Sequence, residues 1–408
     1  MAELIIVGAG AAGLFAAGSA VRAGHRVTIL EHMASPGKKL LITGKGRCNV
    51  ANECEPDEFL KHVRRNPRFL FSSMAAMPPR RVMALFEREL GVPLKTERGR
   101  RVYPVSDRAQ DILDALLRYS QPSDICFGTQ AESLILENGR AAGIRTKDGR
   151  EFRGDAVLIA TGGVSYPTTG STGDGYRLAR QAGHTVIDPE PSLVSLVERG
   201  NTAKRMQGLS LRNVTLTLYE EGKVVFSDQG EMLFTHFGIS GPLVLSASAH
   251  LRDVRRHRCR VEIDLKPALD EQKLEARVQR DFQEFANRDA SKCLDRLVPA
   301  SMRPVMTDLW GIDPDKKTNQ ITREERRALI ALLKAFPVDI ADKGDLAHAV
   351  VTSGGVSVKE IDPKTMQSKR CLGLYFAGEV IDVDGYTGGY NLGIAFATAH
   401  AAATHLPE

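Results

Sequence analysis

A chain of 408 residues with 42% hydrophobic and 26% charged side chains has the size and composition of a globular protein of two or three domains. The net charge of +5 is mild, no apolar run reaches the length of a membrane span, and the first residues lack the basic flank and cleavage site of a secretory signal. The cysteines at 48, 54, 126, 259, 293 and 371 form no CxxC pair, so reduced thiols and a cytoplasmic location are expected, with neither a metal site nor a dithiol reductase.

The apolar run Leu4-Ile5-Ile6-Val7 leads into Gly8-Ala9-Gly10-Ala11-Ala12-Gly13 and an alanine-rich helical stretch. A second apolar run over 26–30 ends at Glu31. In a strand–turn–helix–strand unit such glycines permit a tight turn and close approach of a pyrophosphate to a helix N-terminus, while the carboxylate suits ribose hydroxyls. Residues 35–52 follow as a long loop, a poor helix and a poor strand, with Pro36, Gly37, Gly44 and Gly46 among several bases. Long loops inside compact domains are usually functional. Over 107–119, Ile112, Leu113, Leu116 and Leu117 share one helical face. Asn138-Gly139 and Asp148-Gly149 are type I′ turn signals that predict a three-stranded meander. It runs into the uninterrupted apolar segment 156–160, a strand buried on both faces of a parallel sheet, which ends at Thr161-Gly162-Gly163.

The segment 170–176 predicts a second helix start, open to two readings: a plain N-cap by Ser171, Thr172 or Asp174, or a ligand contact. Beyond Pro189 and Pro191, β-branched strands over 214–219, 224–227 and 261–265 predict a β-domain. From 267 to about 336 the chain turns helical and charged, with Leu274, Val278 and Phe282, then Leu329, Ile330, Leu332 and Leu333, as apolar faces. Strands return near Val350 and Val356. The expected boundaries are 1–190 and 366–408 for a dinucleotide-binding domain, 191–266 and 343–365 for the β-domain, and 267–342 for a helical insertion.

The last segment selects the dinucleotide. Gly378-Glu379-Val380-Ile381-Asp382 precedes Gly388-Gly389-Tyr390-Asn391-Leu392, a second glycine-rich turn. An NAD domain is complete in its first half, whereas an FAD domain needs the chain to return and cover the ribityl chain and flavin. Both ends are committed to one ligand, and that ligand is expected to be FAD. The middle of the chain holds no second GxGxxG, so NAD(P)H is expected to visit the flavin only transiently, as electron donor.

Five ordered segments carry a family resemblance: residues 37–49 (GKKLLITGKGRCN), 160–163 with 173–175 (ATGG, GDG), 234–242 (FTHFGISGP), 353–356 (SGGV), and 377–379 with 388–391 (AGE, GGYN). Together they resemble the HI0933-like flavoproteins, the YhiN- and BaiN-type NAD(P)/FAD-dependent oxidoreductases. The resemblance implies an α/β, Rossmann-like two-dinucleotide-binding FAD fold with an inserted β-barrel domain, itself interrupted by a helical domain. It further implies an oxidoreductase. Members have been associated with reduction of carbon–carbon double bonds in steroid acids, with dihydrouridine formation in ribosomal RNA, and with oxidation of small amino-ketones.

Chemistry and resemblance together suggest roles for particular residues. Gly8, Gly10, Ala12 and Gly13 are expected at the pyrophosphate and Glu31 at the adenosine ribose. Lys39, Gly44 and Arg47 are expected beside phosphate or flavin, with a mere surface base as the alternative for the two cations. Thr161 and Gly162 are expected along the adenine–pyrophosphate region, and Asp382 or Glu379, with Gly378, at the ribityl hydroxyls. Gly389, Tyr390, Asn391 and Leu392 are expected to offer backbone N–H groups to the flavin N1–C2 carbonyl, where negative charge develops on reduction. Arg47, Cys48, His236 and Tyr386 are the candidates for substrate chemistry. A thiol beside Arg47 is expected to have a lowered pKa and to donate a proton, the alternative being a buried inert cysteine. His236 either covers the flavin or bonds a backbone carbonyl, and Tyr386 and Tyr390 are proton donors, stacking groups or core. The substrate is expected to be a small molecule. The basic runs 61–81 and 252–260 are either solvated faces or a track for RNA phosphates.

Overall fold

The computed structural model describes residues 1–251 and 254–407. The chain divides into two units, Met1–Ser192 with Asp345–Glu408, and Leu193–Gly344. The first unit is built on a parallel sheet in the order Leu374–Phe376, Ala156–Ile159, Glu3–Val7, Arg26–Leu30, Asp124–Cys126. Its two central strands, Glu3–Val7 and Ala156–Ile159, are almost wholly buried, as continuous apolar runs covered on both faces must be.

Helices Ala11–Arg22, Ala109–Ser120 and Tyr390–Ala403 pack together beside this sheet. Phe15 stacks on Phe396 at 4.7 Å and tilts against Tyr119 at 5.4 Å. Gly18 is required by the helix crossing, because a Cβ there would lie 2.0 Å from the Tyr119 ring. The predicted meander is Ala131–Glu137, Arg140–Thr146 and Glu151–Arg153. The helix expected after 170 is Asp174–Gln181. Its N-cap is Gly173 in the left-handed region, so none of Ser171, Thr172 or Asp174 caps it through a side chain.

The second unit holds a closed six-stranded barrel in the order Leu196–Glu198, Gly238–Ser240, Lys223–Phe234, Ser210–Glu220, Cys259–Asp264, Phe336–Lys343. Between its last two strands come helices Glu271–Glu284, Arg303–Trp310 and Arg323–Lys334, with a capping box at Thr322 and Glu325 starting the last. One expectation is corrected. The returning barrel strand is Phe336–Lys343, pairing with Cys259–Asp264 from Cys259↔Ile340 to Ile263↔Phe336, and not a strand within 343–365. Alternate burial of Phe336, Val338 and Ile340 places it there. The later strand Val351–Val356 pairs with Val186–Ser192 inside the first unit.

One core group makes stability depend on pH. His400 lies beside Ser19, its Nδ1 3.3 Å from Ser19 Oγ, and burial holds its pKa down at about 4 against the usual 6.5. Above about pH 6.5 neither folded nor unfolded chain carries this proton. Between there and pH 4 the unfolded chain takes it up and the folded chain does not, so stability falls as pH falls. A displacement of this size is worth up to about 3 kcal/mol, and partial exposure of the ring lowers that to roughly 1–2. The urea midpoint of wild type should drop more than that of His400→Asn between pH 7 and 5. Equal drops would assign the loss to other groups, such as buried His184.

Candidate functional site

The glycine turn after the first strand folds as its residues require. Gly8 has φ +107°, and its N–H donates to Leu30 O at 2.8 Å. A Cβ at Gly13 would sit 1.9 Å from Gly8 O, so this position lets the helix lie directly on the strand. A Cβ at Gly10, in contrast, would meet nothing within 4 Å. Gly10 is the N-cap of Ala11–Arg22, and no side chain caps the helix. Its first-turn N–H groups and the positive end of its dipole therefore face an open approach. Glu31 closes one side: Oε2 accepts from Ala9 N and Oε1 from Met33 N, both at 2.8 Å. Each carboxylate oxygen keeps accepting capacity for a hydroxyl.

The C-terminal turn repeats the arrangement. Gly389, φ +96°, is the N-cap of Tyr390–Ala403, again with no side-chain cap, and a Cβ there would fall 2.2 Å from Ala51 C. Asn52 Nδ2 donates to Gly388 O at 2.9 Å. The Asn391 side chain brackets the turn, accepting from Gly385 N and donating to Gly385 O, both at 2.9 Å, and to Tyr386 O at 3.2 Å. Leu392 is half-buried against the core. Phe15 meets Phe396 and Ser19 meets His400, so the two helices run parallel and their bare N-termini lie at the same end. Gly378 passes between them: a Cβ there would be 2.9 Å from Ala12 Cβ and 3.8 Å from Ala395 Cβ. At the end of the neighbouring strand, Gly162 has φ +73°, and Thr161 Oγ1 lies where a Cβ on Gly175 would come within 2.2 Å.

Two polar networks fix the segments around these N-termini. Lys39 Nζ donates to both Glu379 oxygens at 3.0 and 2.8 Å and to Ser165 Oγ at 2.7 Å, while Glu379 also accepts from Thr352 N at 2.8 Å. In the second network, residues 62–66 are stitched to 382–386. Arg64 N donates to Asp384 O at 2.8 Å, Tyr386 N to His62 O at 2.9 Å, and Asn66 Nδ2 to Asp382 O at 2.6 Å. Asp384 accepts from Ser192 and Ser353 hydroxyls at 2.8 and 3.0 Å. Burial pushes the Asp382 and Asp384 carboxyls up, opposed at Asp382 by Arg65 and Asn66 and at Asp384 chiefly by the two serines. Sequence reasoning gave Asn66, Ser165, Thr352 and Asp384 no role, and took Arg65 only as part of the basic run 61–81. The one available signal was two acids alternating within the apolar run at 380–384.

Several expected roles are corrected by what the side chains touch. The stretch 35–52 is not a bare loop: it forms a short helix Lys38–Ile42, a tight turn Thr43–Gly46 containing Gly44 at φ +57°, and a strand Ala51–Asn52. Arg47 does not present a free charge. It pairs with Glu97 and, at 2.7 Å, with Asp107, and lies 4.2 Å over the Tyr103 ring. Cys48 is fully buried, and burial pushes its thiol up to about 12, the reverse of the activation expected from its neighbour Arg47. Cys48→Ser should therefore leave flavin reduction and reoxidation within about twofold while costing roughly 1–2 kcal/mol for a newly buried hydroxyl. A selective loss of substrate reduction would contradict this placement. Tyr390 is buried, stacked on His62 at 4.7 Å, and burial raises its phenol, so it is a core group. Tyr386 is half-buried with its ring edge-on to His62 at 5.9 Å. His236 is exposed in the second unit, edge-on to Phe237 at 4.9 Å.

The basic runs are only partly free. Of 252–260, Arg252 and Asp253 lie outside the described residues. Arg255 pairs with Asp342, Arg260 with Glu262, and His257 with Glu220. In 61–81, Lys61 pairs with Glu58 and Arg65 with Asp382, while Arg64, Arg68 and Arg80 are exposed and make no ion pair among the described residues.

Residues 2–405 match the HI0933-like protein Rossmann domain. The chain belongs to the HI0933-like family. It is 31% identical over 405 residues to a ribosomal RNA dihydrouridine synthase of Escherichia coli, covering 99% of this chain and 98% of that one. It is 32% identical over 409 residues to a 3-dehydro-bile acid delta(4,6)-reductase of Clostridium scindens, covering 98% of each. Among solved structures, a 3-ketosteroid delta1-dehydrogenase from Sterolibacterium denitrificans, in complex with 1,4-androstadiene-3,17-dione, superposes with a TM-score of 0.53 over 99% of both chains at 15% identity, a likeness of fold. The HI0933-like chain is thus a flavin-dependent oxidoreductase by family. Its residues fit FAD: two uncapped helix N-termini suit anionic groups, the Glu31 carboxylate beside the first suits hydroxyls, and the space at Gly10 is open to a phosphate. Among the described residues no helix is long and apolar enough to cross a membrane.

Proposed function

We propose that this protein binds FAD and saturates a carbon–carbon double bond conjugated to a carbonyl in an unsaturated small molecule such as a steroid-like enone, with NAD(P)H as electron donor. The observation that carries the reading is the parallel placement of the two bare N-termini, one from each end of the chain. Bound FAD would supply hydride transfer, and the chain supplies position, electrostatics and a proton. Gly8, Gly10 and Gly13 would hold the pyrophosphate, Glu31 the adenosine ribose, and the segment 378–382 the ribityl hydroxyls. The N–H groups of 390–392 would face the pole of the flavin that gains negative charge. Burial removes Cys48 and Tyr390 as acids, leaving Tyr386 and His236 to be tested as proton donors.

Both named relatives support this chemistry. A delta(4,6)-reductase saturates double bonds in a bile acid, and a dihydrouridine synthase saturates the C5–C6 bond of a uracil, also conjugated to a carbonyl. A second reading, the same chemistry on a uridine of ribosomal RNA, is favoured by one observation. Phe71 is 56% exposed one turn from exposed Arg68 in an acid-free stretch, the pairing of stacking face and cation that single-stranded RNA uses. Purified protein should be yellow, and anaerobic bleaching by NADPH and by NADH identifies the donor. A colourless protein that no reconstitution loads with FAD would overturn the proposal. Metabolite and RNA-nucleoside profiles of a deletion strain separate the two substrates.

A further inference from the structure

The fixed loop 62–66 carries one cation whose setting differs from that of every other arginine in the run 61–81. Arg65 Nε lies 2.5 Å from Asp382 Oδ1, and the Asp382 side chain is only 7% exposed whereas that of Arg65 is 37% exposed. Asp382 does not need Arg65 to hold it in place. Asn66 Nδ2 already donates to both Asp382 O, at 2.6 Å, and Asp382 Oδ2, at 3.1 Å, and Asp382 N donates to Val356 O at 3.0 Å. The loop backbone is fixed as well, since Arg64 N and Arg65 N both donate to Asp384 O. What the pair accomplishes is the reverse: a buried carboxylate holds the guanidinium through an ion pair at Nε, while the Arg65 side chain as a whole stays 37% exposed.

A guanidinium oriented in this way is a ready fork for an oxyanion, because little side-chain freedom remains to be lost when a second partner binds. Two buried carboxylates, Asp382 and Asp384, act on Arg65, and burial pushes both up toward their neutral forms. Asp382 pairs with Arg65, but Arg64 and Arg68 stand exposed on either side and make no ion pair among the described residues. Because the Asp382 carboxylate is buried, loss of Arg65 would also cost stability, so the anion role has to be read from binding and not from stability.

We propose that Arg65, buttressed by Asp382 and flanked by Arg64 and Arg68, is the substrate-anchoring anion site, which takes an oxyanion of the molecule to be reduced: the carboxylate of an acidic small molecule or a phosphodiester of RNA. It rests on the reading of 378–392 as the flavin segment, since that is what places Asp382 beside the reacting group.

The test uses the FAD-loaded protein and three probes: a 3-oxo-Δ4 steroid with a C24 carboxylic acid, its methyl ester, and a uridine dodecamer. Binding is read from perturbation of the flavin spectrum for the steroids and from fluorescence anisotropy for the RNA. Wild type should bind either the acid at least tenfold more tightly than the ester, or the dodecamer with strong salt dependence; which of the two occurs names the source of the anion. Arg65→Gln should weaken the favoured probe about ten- to a hundredfold and leave the ester unchanged. For RNA the slope of log affinity on log salt should also fall by about one phosphate contact. Arg65→Lys should recover only part of the loss, because an ammonium cannot be held at one edge and bind bidentately at another. The inference is overturned if wild type does not favour an anionic probe, if Arg65→Gln leaves that preference and salt slope intact, or if the variant instead loses FAD, which would make Arg65 part of the flavin support. Wild type that holds no FAD at all would be a failure of the earlier reading and would show itself before any probe is added.

Discussion

Gly13→Ala should yield protein that unfolds far more easily than wild type and retains no FAD, whereas Gly10→Ala, three residues away, should be as stable as wild type and defective only in binding. The difference follows from where the added carbon goes. At Gly13 it would lie 1.9 Å from Gly8 O and 3.3 Å from the Ile6 side chain, so the helix must lift off the strand. A backbone oxygen cannot rotate away as a side chain can, and overpacking of this kind costs about 3 kcal/mol. At Gly10 the backbone has φ −86°, an ordinary value, and the added carbon meets nothing within 4 Å. Loss of unfolded-state freedom, about 0.5 kcal/mol, is roughly offset by the poorer fit of alanine at an N-cap, so stability should stay near wild type. The same carbon, however, stands at the bare N-terminus where the proposed FAD placement brings phosphate oxygens within hydrogen-bonding distance. FAD affinity should fall roughly ten- to a hundredfold, the loss of one or two charge-assisted hydrogen bonds. Thermal unfolding of the apoproteins, together with FAD titration, measures both. A Gly10→Ala protein with unchanged FAD affinity would mean that the pyrophosphate does not lie over this turn.

The features legible in the sequence are those set by neighbours in the chain. The first glycine turn, the meander and the buried strand at 156–159 follow from turn chemistry and short-range periodicity, and the structure places them as read. The barrel's returning strand was hidden because Phe336 begins two residues after helix Arg323–Lys334 ends, and Pro337 and Asp339 interrupt its alternation. Arg47 and Cys48 were misread for a related reason. Adjacent residues suggested a cation beside a thiol, yet the guanidinium found Glu97 and Asp107, some 50 and 60 positions away, and the thiol went into the core. Arg65 with Asp382 and Lys39 with Glu379 are separated by more than three hundred residues. No periodicity or motif records such pairings, because they exist only after both ends of the chain have been laid on one sheet.

The Lys39–Glu379 pair should behave as a coupled structural unit and not as a phosphate-binding cation with a neighbour. Both side chains are about one-fifth exposed, and Glu379 accepts from Lys39, Ser165 and Thr352 N at 2.8 to 3.1 Å. Glu379→Gln keeps the shape but leaves the Lys39 ammonium in a poorly solvated place with no compensating charge. Removing one partner of such a pair costs more than the pair contributes, here about 2–3 kcal/mol after allowance for the remaining exposure. Lys39→Met leaves the carboxylate with two other donors, so its cost should be smaller, about 1–2 kcal/mol. In the double variant no charge is left stranded, and its loss should fall short of the sum by about 1–2 kcal/mol. The salt dependence of FAD affinity separates this view from the phosphate reading. A lysine in direct contact with phosphate makes binding weaken as salt rises, and Lys39→Met would flatten that dependence. If the ammonium is committed to Glu379, all three variants should lose FAD affinity together, in proportion to their loss of stability, with the wild-type salt dependence retained. Additive stabilities with a flattened salt dependence in Lys39→Met alone would return Lys39 to the phosphate.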